Sequence, residues 1–374
     1  MKKYSIVLGL LLVASLVFAA CAPIVSPNAA VQTAAPVQKP MDTKAPEPTA
    51  APKLKACLVT DSAGIGDKSF NDAVWGGLEK AKADFGIEAN YIESKSADDY
   101  GPNLQACVDS EPDLIVCVGF MMADACAAAI EANPTIKFVG IDIDWLAFDN
   151  FVGVGALMDQ SCFQAGYLAA GMTKTGKIAT YTGFFGPVVQ IFMDGYYMGV
   201  QKYNEVHSTK VEVLGYDPKN MDLASATGSW SDVDKGRQLT ESFMDNGADI
   251  VLPVAGNVGT GSAAVMQERG SGYIFGVDQD WTVTNAQYSP QILGSVLKKM
   301  EVPVYETIKL MTGGGWKAGN FILTLENKGT ELVSNAAIAI PAELKAEVDA
   351  LAAKIISGEI PSLSPEYLAK YPRP

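Results

Sequence analysis

The chain has 374 residues, of which 48% are hydrophobic, and a formal net charge of −14. This length exceeds the usual size of a single domain, so we expect two lobes with substantial cores. The negative charge and the lack of a basic stripe argue against nucleic-acid binding, because a phosphate backbone would be repelled.

Residues 1–20 are typical of an export signal. MKK forms a positively charged start, YSIVLGLLLVASLVF is an apolar run, and small residues precede Cys21. The alternative is an uncleaved membrane anchor, because the apolar run is nearly long enough to cross a bilayer. Cysteine at this position favours processing. The segment resembles a bacterial lipoprotein signal, with Phe18 where Leu is usual, and this implies a lipidated Cys21 on the extracytoplasmic face of the cell membrane.

Residues 21–53 predict a disordered tether. They are rich in Ala, Pro and Thr and lack a periodic apolar pattern. Such a composition cannot bury enough surface to fold. We therefore expect an extended linker between the membrane and the folded part of the chain.

From residue 54 onward, short apolar runs alternate with helical patterns. The first half predicts KACLVT, a helix near 69–85, IEANYIE, a helix near 98–109, DLIVCVG, a further helix, KFVGID and FVGVG. From 158 the pattern predicts a helix, KIATYTG, a helix over 187–204, KVEVLGY, a helix over 232–246, DIVLPVAG, a helix over 259–269 and YIFGVD. This alternation indicates βαβ units and parallel sheets.

An internal repeat indicates duplicated α/β lobes. Segment 113–145 aligns without a gap to segment 249–281, and both copies end in Asp-x-Asp-Trp. Beyond 283, the strand-like run QILGSVL, a helix and FILTL follow, and we expect this tail to cross back to the first lobe. The predicted division is therefore 54–158 plus about 283–374 in one lobe and 159–282 in the other.

Several residues that can recognise a ligand fall at the ends of predicted strands. In open parallel sheets, ligands bind beyond the carboxyl ends of the strands. If the two sheets face each other, these ends line one cleft. The residues at these ends are Asp61, Gly119, Asp142, Gly183, Gly256 and Asp278.

The loop DSAGIGDKSFND, residues 61–72, joins the first strand to the first helix. Ser69 and Asp72 fit a capping box, which predicts Ser69 as the N-cap and Phe70 and Asn71 in the first turn facing the cleft. A helix N-terminus attracts anions, but the carboxylates of this loop would repel a phosphate. A neutral polar ligand fits better, although Phe70 could equally pack as a helix staple.

Catalytic and metal chemistry find little support. The stretch GTGSAA, residues 259–264, matches a dinucleotide-binding pattern, but its glycines can equally serve a tight turn. Asp142 and Asp144 suit either the acid–base pair of a glycosidase or hydroxyl recognition, and the sequence does not separate the two. The only histidine, His207, lies in a polar run, and there is no H-E-x-x-H motif. We expect no catalytic residue, no metal and no cofactor.

The cysteines give no metal or redox motif. Beyond Cys21 there are five, an odd number, and no C-x-x-C pair occurs. Cys57 and Cys117 lie in strand-like runs, where burial as a small apolar side chain is the favoured interpretation. The sequence leaves the pairing of the five open.

The loop DSAGIGDKSFNDAVWGGL is followed in order by VGFMMADA, IFMDGYYMGV, VAGNVGTG, FGVDQDW and GSVLKKM. Together these segments resemble the basic membrane protein family of lipoproteins, the nucleoside-binding proteins of ABC importers, also called the purine nucleoside receptor A family. The resemblance extends from about residue 54 to 360. It implies a type I periplasmic-binding-protein fold, in which two doubly wound parallel-sheet lobes close over a ligand at a hinge.

The resemblance also implies roles for individual residues. Phe70 and Phe192 would stack on the nucleobase, and Asp61, Asn71 and Asp124 would read its polar edge. Asp278 would accept the ribose hydroxyls, with help from Lys298 and the backbone of Gly256. Packing or exposed positions are the alternatives for Phe192, Asp124 and Lys298. The chain departs from the family at Ala63, Asn257 and Trp281, and the last departure concerns the ribose side.

We therefore predict a lipid-anchored protein that captures a nucleoside, a purine nucleoside by the family's name, and delivers it to the permease and ATPase of an ABC importer. The first alternative is a dinucleotide-dependent or carboxylate-dependent enzyme that uses the same cleft. The second is a sugar-binding or signal-binding protein of the same fold.

Overall fold

The computed structural model describes residues 53–372. The predicted signal peptide, the predicted lipidation site Cys21 and all but the last residue of the predicted tether lie outside this range. Across residues 53–372, we find no helix with the length and apolar character needed to cross a bilayer.

Two six-stranded sheets organise the fold, and their strands are numbered here in chain order. The first sheet contains β1 (Lys55–Val59), β2 (Glu88–Ile92), β3 (Leu114–Val118), β4 (Lys137–Ile141), β5 (Phe151–Ala156) and β11 (Gly319–Leu323). Its order is β11-β5-β4-β3-β1-β2, and all its pairs are parallel. Strands such as β3, LIVCV, are apolar throughout because helices cover both faces of the sheet.

The second sheet contains β6 (Lys177–Thr182), β7 (Glu212–Leu214), β8 (Ile250–Val254), β9 (Tyr273–Asp278), β10 (Ile292–Lys298) and β12 (Thr330–Ser334). Its order is β12-β10-β9-β8-β6-β7, in which only β12 pairs antiparallel. The first five strands of each sheet thus follow the same order. The α/β architecture predicted from the alternating pattern is confirmed.

The helices divide between the two sheets, which with their helices form the first and second lobes. The first lobe contains α1 (Phe70–Phe85), α2 (Tyr100–Asp109), α3 (Ala123–Ala132) and α9 (Glu301–Thr312). The second contains α4 (Met158–Met172), α5 (Pro187–His207), α6 (Val233–Asp245), α7 (Gly259–Arg269), α8 (Trp281–Thr284), α10 (Ala342–Ile356) and α11 (Pro365–Lys370). Helices α4 and α5 pack closely because Gly199 lies against the backbone of α4, where an added Cβ would come within 2.0 Å of the Phe163 carbonyl oxygen.

The chain crosses between the lobes three times, and this corrects the predicted boundary. The crossings lie between β5 and α4, between β10 and α9, and between β11 and β12. The sequence prediction placed the whole tail from about 283 in the first lobe, whereas β10 and β12 belong to the second sheet and α10 packs on α4. An apolar run indicates a strand but not its sheet, since that depends on pairing with β9.

A disulfide joins Cys57 in β1 to Cys107 in α2, across a sequence separation of 50. Cys57 is therefore buried as half of a disulfide, and the interpretation of it as a simple apolar side chain is wrong. The sequence does not reveal this pairing because it depends on how α2 packs against β1. Cys117, Cys126 and Cys162 are buried free thiols.

Candidate functional site

A cavity lies between the lobes, where the carboxyl ends of the strands of both sheets meet, with an empty volume of about 610 Å³ that includes space open to solvent. Five of the six predicted strand-end residues line it: Asp61, Gly119, Asp142, Gly256 and Asp278. This position follows from the strand order. In each sheet, the strands after the second are added on the other side of the first strand, and this reversal of the strand order leaves a crevice at the strand ends. The sixth residue, Gly183, lies outside the wall and packs against Trp230.

Aromatic side chains from both lobes face the cavity. Phe70 begins α1 in the first lobe, and Phe192 lies in α5 of the second. The Lys298 ammonium lies 5.1 Å from the centre of the Phe70 ring and 5.7 Å from that of Phe192. Phe120 and Trp230 complete the aromatic lining, with ring centres 6.5 Å apart across the two lobes.

The loop before α1 is organised by Asp67 rather than by the predicted capping box. The Asp67 carboxylate accepts hydrogen bonds from the backbone N–H groups of Ser69, Asn71 and Asp72. Ser69 does occupy the N-cap position, but its side chain makes no capping hydrogen bond. The prediction of Ser69 as the N-cap residue is therefore confirmed, whereas the predicted capping box between Ser69 and Asp72 is wrong. Asp67 lies two residues nearer the strand and supplies two carboxylate oxygens to the exposed N–H groups of the first turn.

The Ser69 hydroxyl instead bridges the lobes. It donates to the Asp278 carboxylate at 2.5 Å. The side-chain amide of Gln279 in the second lobe donates to the Ser69 carbonyl oxygen at 2.8 Å. The lobes are therefore in direct polar contact beside the cavity.

Asn71 lies behind the cavity wall rather than in it. It is fully buried, and its side-chain amide donates to Asp61 at 2.7 Å and to Asp67 at 3.0 Å. Its side-chain oxygen accepts from the Asp61 backbone N–H at 3.1 Å. Asn71 thus fixes the carboxylates of Asp61 and Asp67, two of the three first-lobe carboxylates that line the cavity.

The buried carboxylates of the cavity have altered acidity. Burial raises the pKa of Asp61 to about 6, against the opposing effect of its hydrogen bond from Asn71. Burial likewise raises the pKa of Asp278 to about 6, opposed by the charge of Lys298 and by the Ser69 hydrogen bond. Burial also raises the pKa of Asp67 and of Asp142. The cavity therefore holds carboxylates that are poorly solvated.

Lys298 is buried, so the alternative of a surface charge is excluded. It ends β10, is 3% exposed, and its ammonium lies 2.6 Å from the Asp142 carboxylate of the first lobe. This pair also crosses the cleft. Both residues line the cavity and a wider cleft on the hinge side.

Asp142 and Asp278 occupy equivalent positions in the two lobes. Asp142 directly follows β4 and Asp278 is the last residue of β9, the fourth strand of each half of the chain, and each has a positive φ, 61° and 67° respectively. A non-glycine residue rarely adopts this conformation, and Asp tolerates it better than most. The internal repeat in the sequence thus corresponds to two carboxylates that face one cavity.

Other predicted candidates are not brought to the cavity wall. Asp124 lies in the first turn of α3 and is exposed. Trp281, which departs from the family pattern, is fully buried, and its indole N–H donates to the Val277 carbonyl at 3.1 Å. Asp144 lines the hinge-side cleft and not the cavity. Since Asp142 is paired with Lys298, the two carboxylates do not form the glycosidase-like pair that the sequence left open.

The glycines of GTGSAA serve packing. A Cβ on Gly261 would lie 2.0 Å from the Val233 carbonyl oxygen of α6, and one on Gly259 would lie 2.7 Å from the Trp281 ring. Ser262 bonds to Tyr181 and Thr240 within the core. This argues against the dinucleotide interpretation. Within residues 53–372, no group of three His, Cys, Asp or Glu side chains has the arrangement of a metal site.

Phe120 and Trp230 are the aromatic wall residues that the sequence interpretation missed. Phe120 follows β3 inside the segment VGFMMADA, so its place beside a strand end was a usable signal. Trp230 lies in an irregular segment before α6, far from any strand end, and no pattern in the sequence marks it.

Comparisons with known proteins identify a family. The family model Bmp, described as ABC transporter substrate-binding protein PnrA-like, matches residues 54–365. The ABC transporter nucleoside-binding protein BmpA of Lactococcus lactis is 29% identical over 326 residues, which cover 82% of this chain and 88% of that protein. Basic membrane protein A of Borreliella burgdorferi is 31% identical over 315 residues, covering 82% and 86% respectively.

A solved structure supports the fold. The crystal structure of an ABC transporter solute-binding protein from Aeropyrum pernix aligns with a TM-score of 0.73 and 25% identity, covering 82% of this chain and 92% of that one. The type I solute-binding fold expected from the resemblance is thereby confirmed.

Proposed function

We propose that this chain, which belongs to the Bmp family of PnrA-like ABC transporter substrate-binding proteins, captures a nucleoside between its two lobes and delivers it to an ABC importer. The observation that carries the proposal is the pairing of Phe70 and Phe192, which reach one cavity from opposite lobes. Two aromatic faces of this kind suit a flat base, which gains about 1–3 kcal/mol from stacking on one such ring.

The base would be read from the first lobe. The Asp61 carboxylate lines the cavity, and Asn71 holds it from behind. A carboxylate accepts hydrogen bonds when ionised and donates one when protonated. With its pKa raised to about 6, Asp61 can present either form to the edge of a base. In this arrangement Asp124 is not part of the proposed binding site.

The ribose would be held from the second lobe. Asp278 has room for several hydrogen bonds, since an ionised carboxylate offers about four acceptor positions. It can therefore accept sugar hydroxyls beside the Ser69 hydroxyl that it already binds. Lys298 and the backbone of Gly256, which line the same part of the cavity, would supply donors.

The charges of the cavity favour a neutral ligand. Four carboxylates line it, those of Asp61, Asp67, Asp142 and Asp278, against the single ammonium of Lys298. A phosphate group placed here would be repelled and would gain little from a lysine already paired with Asp142. We therefore expect nucleosides to bind and nucleotides to be excluded. Purine nucleosides are the favoured members of the class.

Binding, in this proposal, involves no chemical step. A ligand that contacts both lobes shifts the population towards the closed form, which would then dock on the permease and its ATPase. Lipidation at Cys21 would keep the protein at the membrane beside the importer. Support for these steps comes from the family, whose members are substrate-binding proteins of ABC transporters.

The test is a panel of ligands added to the purified chain from residue 54 onward, read by thermal unfolding and by calorimetry. The panel contains nucleosides, nucleotides, free bases, sugars and amino acids. We expect stabilisation by at least one nucleoside and none by its 5′-monophosphate. Stabilisation by a sugar or an amino acid, with none by any nucleoside, would contradict the proposal. Mass spectrometry of ligand released from the protein by denaturation provides an independent check.

A further inference from the structure

Lys298 stands between two buried carboxylates of opposite lobes. Its ammonium lies 2.6 Å from Asp142. Its strand neighbour Leu297 is in register with Asp278, and the charge of Lys298 lowers the pKa of Asp278 against the effect of burial. The Lys298 ammonium can thus interact with both Asp142 and Asp278, but it is in short contact only with Asp142.

We propose that Asp142 is a positioning residue that binds the Lys298 ammonium across the cleft and so keeps the Asp278 carboxylate available to the sugar hydroxyls of a nucleoside. The inference rests on the proposed function and assigns the determinant of sugar recognition within it. Asp142 acts through Lys298 and need not touch the ligand.

The surroundings of Lys298 leave its ammonium few other places to go. The side chains of Lys298 and Asp142 are 4% and 7% exposed, so water does not solvate the charge well. Phe70 and Phe192 lie over it within 6 Å. A buried cation under these conditions requires a carboxylate partner, because an unpaired charge in the interior is costly.

The position of Asp142 is itself well fixed. Its backbone N–H donates to the Val154 carbonyl of β5 at 2.8 Å, which holds this part of the backbone against β5. The first-lobe carboxylates Asp61 and Asp67 are engaged by Asn71 and by backbone N–H groups. Without Asp142, the acceptor left for Lys298 is therefore Asp278.

The substitution Asp142→Asn tests this directly. The amide keeps the shape of the side chain but has no negative charge, so it attracts the ammonium much less than Asp278 does. The ammonium would then pair with Asp278 and occupy the oxygens meant for the sugar. The measurement is the ratio of the dissociation constants of the 2′,3′-dideoxy form and the parent nucleoside, at pH 8. The probe is whichever of adenosine, guanosine and inosine binds most tightly.

In the wild type we expect this ratio to be well above ten. Asp142→Asn should lower it at least tenfold, through weaker binding of the parent nucleoside and little change for the dideoxy form. Adding Lys298→Met to Asp142→Asn removes the competing cation, but also the donor that Lys298 would offer the ribose, so the ratio should recover in part, at least threefold relative to Asp142→Asn. A purely structural role for Asp142 predicts no such recovery.

The matched control is Glu331→Gln. It removes the carboxylate partner of the neighbouring Lys299, at 2.7 Å, in a pair that lies outside the cavity wall. Its ratio should stay within twofold of the wild-type value. If Asp142→Asn does not fold, Asp142→Glu keeps the charge but displaces the carboxylate, and should lower the ratio at least threefold.

A ratio for Asp142→Asn within twofold of the wild type, or no recovery in the double variant, overturns the inference and leaves the proposed function intact. A wild-type chain that binds no nucleoside overturns the proposed function, and the inference falls with it.

Discussion

The hydroxyl of Ser69 in the first lobe donates a 2.5 Å hydrogen bond to the Asp278 carboxylate in the second lobe. The bond joins the two lobes, so we expect it to break when they separate, and its acceptor is the carboxylate that we propose binds the sugar. The bond therefore links closure of the lobes to Asp278, the residue that we propose binds the sugar.

Replacing Ser69 with Ala should weaken nucleoside binding by favouring the open form. A hydrogen bond to a charged group contributes about 1.5–3 kcal/mol, so the dissociation constant should rise at least tenfold. Small-angle X-ray scattering should show a larger radius of gyration for the ligand-free variant, with the wild-type value restored at saturating nucleoside.

The control is Ser357→Ala, which removes an exposed hydroxyl that donates to the Lys354 carbonyl at the end of its own helix. This variant should change neither the dissociation constant nor the radius of gyration. An Ser69→Ala variant with wild-type affinity and an unchanged radius of gyration would show that this bond does not contribute to closure.

Phe70→Leu should weaken nucleoside binding while preserving the fold. Leucine retains apolar volume but lacks the flat ring face, so we expect a loss of about 1–2 kcal/mol, roughly five- to thirtyfold in the dissociation constant. Calorimetry measures it. Phe85→Leu, at the other end of the same helix and outside the cavity wall, is the matched control. Equal affinities for the two variants would refute stacking on Phe70.

The stability of the ligand-free protein should fall as the pH rises from about 4 to 6. Burial raises the pKa of Asp61 and Asp278 from 3.8 to about 6, so in this window the folded chain binds more protons than the unfolded chain. Stability therefore decreases with pH, by at most about 3 kcal/mol for each group.

Urea unfolding at pH 4.5 and pH 7 checks this prediction. Asp67 and Asp142 also have raised pKa values and contribute to the same trend. The informative quantity is therefore the difference from Asp278→Asn, whose decrease in stability over this range should be smaller. Identical decreases in the wild type and the variant would mean that Asp278 is not perturbed as described.

Nucleoside affinity should change with pH in the opposite direction. Asp278 accepts sugar hydroxyls best when ionised, so affinity should rise through pH 6 and level off above pH 7. The facing groups that also act on it are Lys298, Asp67 and Asp142. Calorimetry between pH 5 and pH 8 measures the profile. A flat profile in the wild type would contradict the role of Asp278.

The Cys57–Cys107 disulfide should contribute substantially to stability. It closes a loop of 50 residues, for which chain entropy gives about 4 kcal/mol. Reductant should lower the urea midpoint of the wild type but leave that of a Cys57→Ala/Cys107→Ala variant unchanged. Thiol counting on the unfolded, unreduced chain from residue 54 should give three thiols. Five thiols would show that the bond is not formed.

The sequence predicts much of this site because strand ends are marked by local patterns and the internal repeat can be read directly from the sequence. Asp142 and Asp278 could be paired by the alignment of 113–145 with 249–281, and the structure gives them equivalent positions. Phe70 could be placed in the first turn of α1, because the loop of residues 61–72 joins the first strand to the first helix.

The sequence predictions that were wrong concern features that depend on tertiary contacts. The run QILGSVL indicates a strand, but its sheet is decided by pairing with β9. Both Asp67 and Ser69 can cap the first turn of α1, and Ser69 is drawn away by a carboxylate 209 residues later. Trp230 reaches the cavity from an irregular segment, where no periodicity applies.

The two lobes are duplicated, but their contributions to the cavity are not identical. The strand pairs Ile141–Val154 and Val277–Val296 are equivalent in the two sheets, so Ala156 of the first lobe corresponds to Lys298 of the second. One lobe thus ends its fifth strand in a methyl group and the other in an ammonium. Matching carboxylates alone would accept a ligand in either of two orientations related by the pseudo-symmetry, and we expect the single cation of the cavity wall to favour one of them.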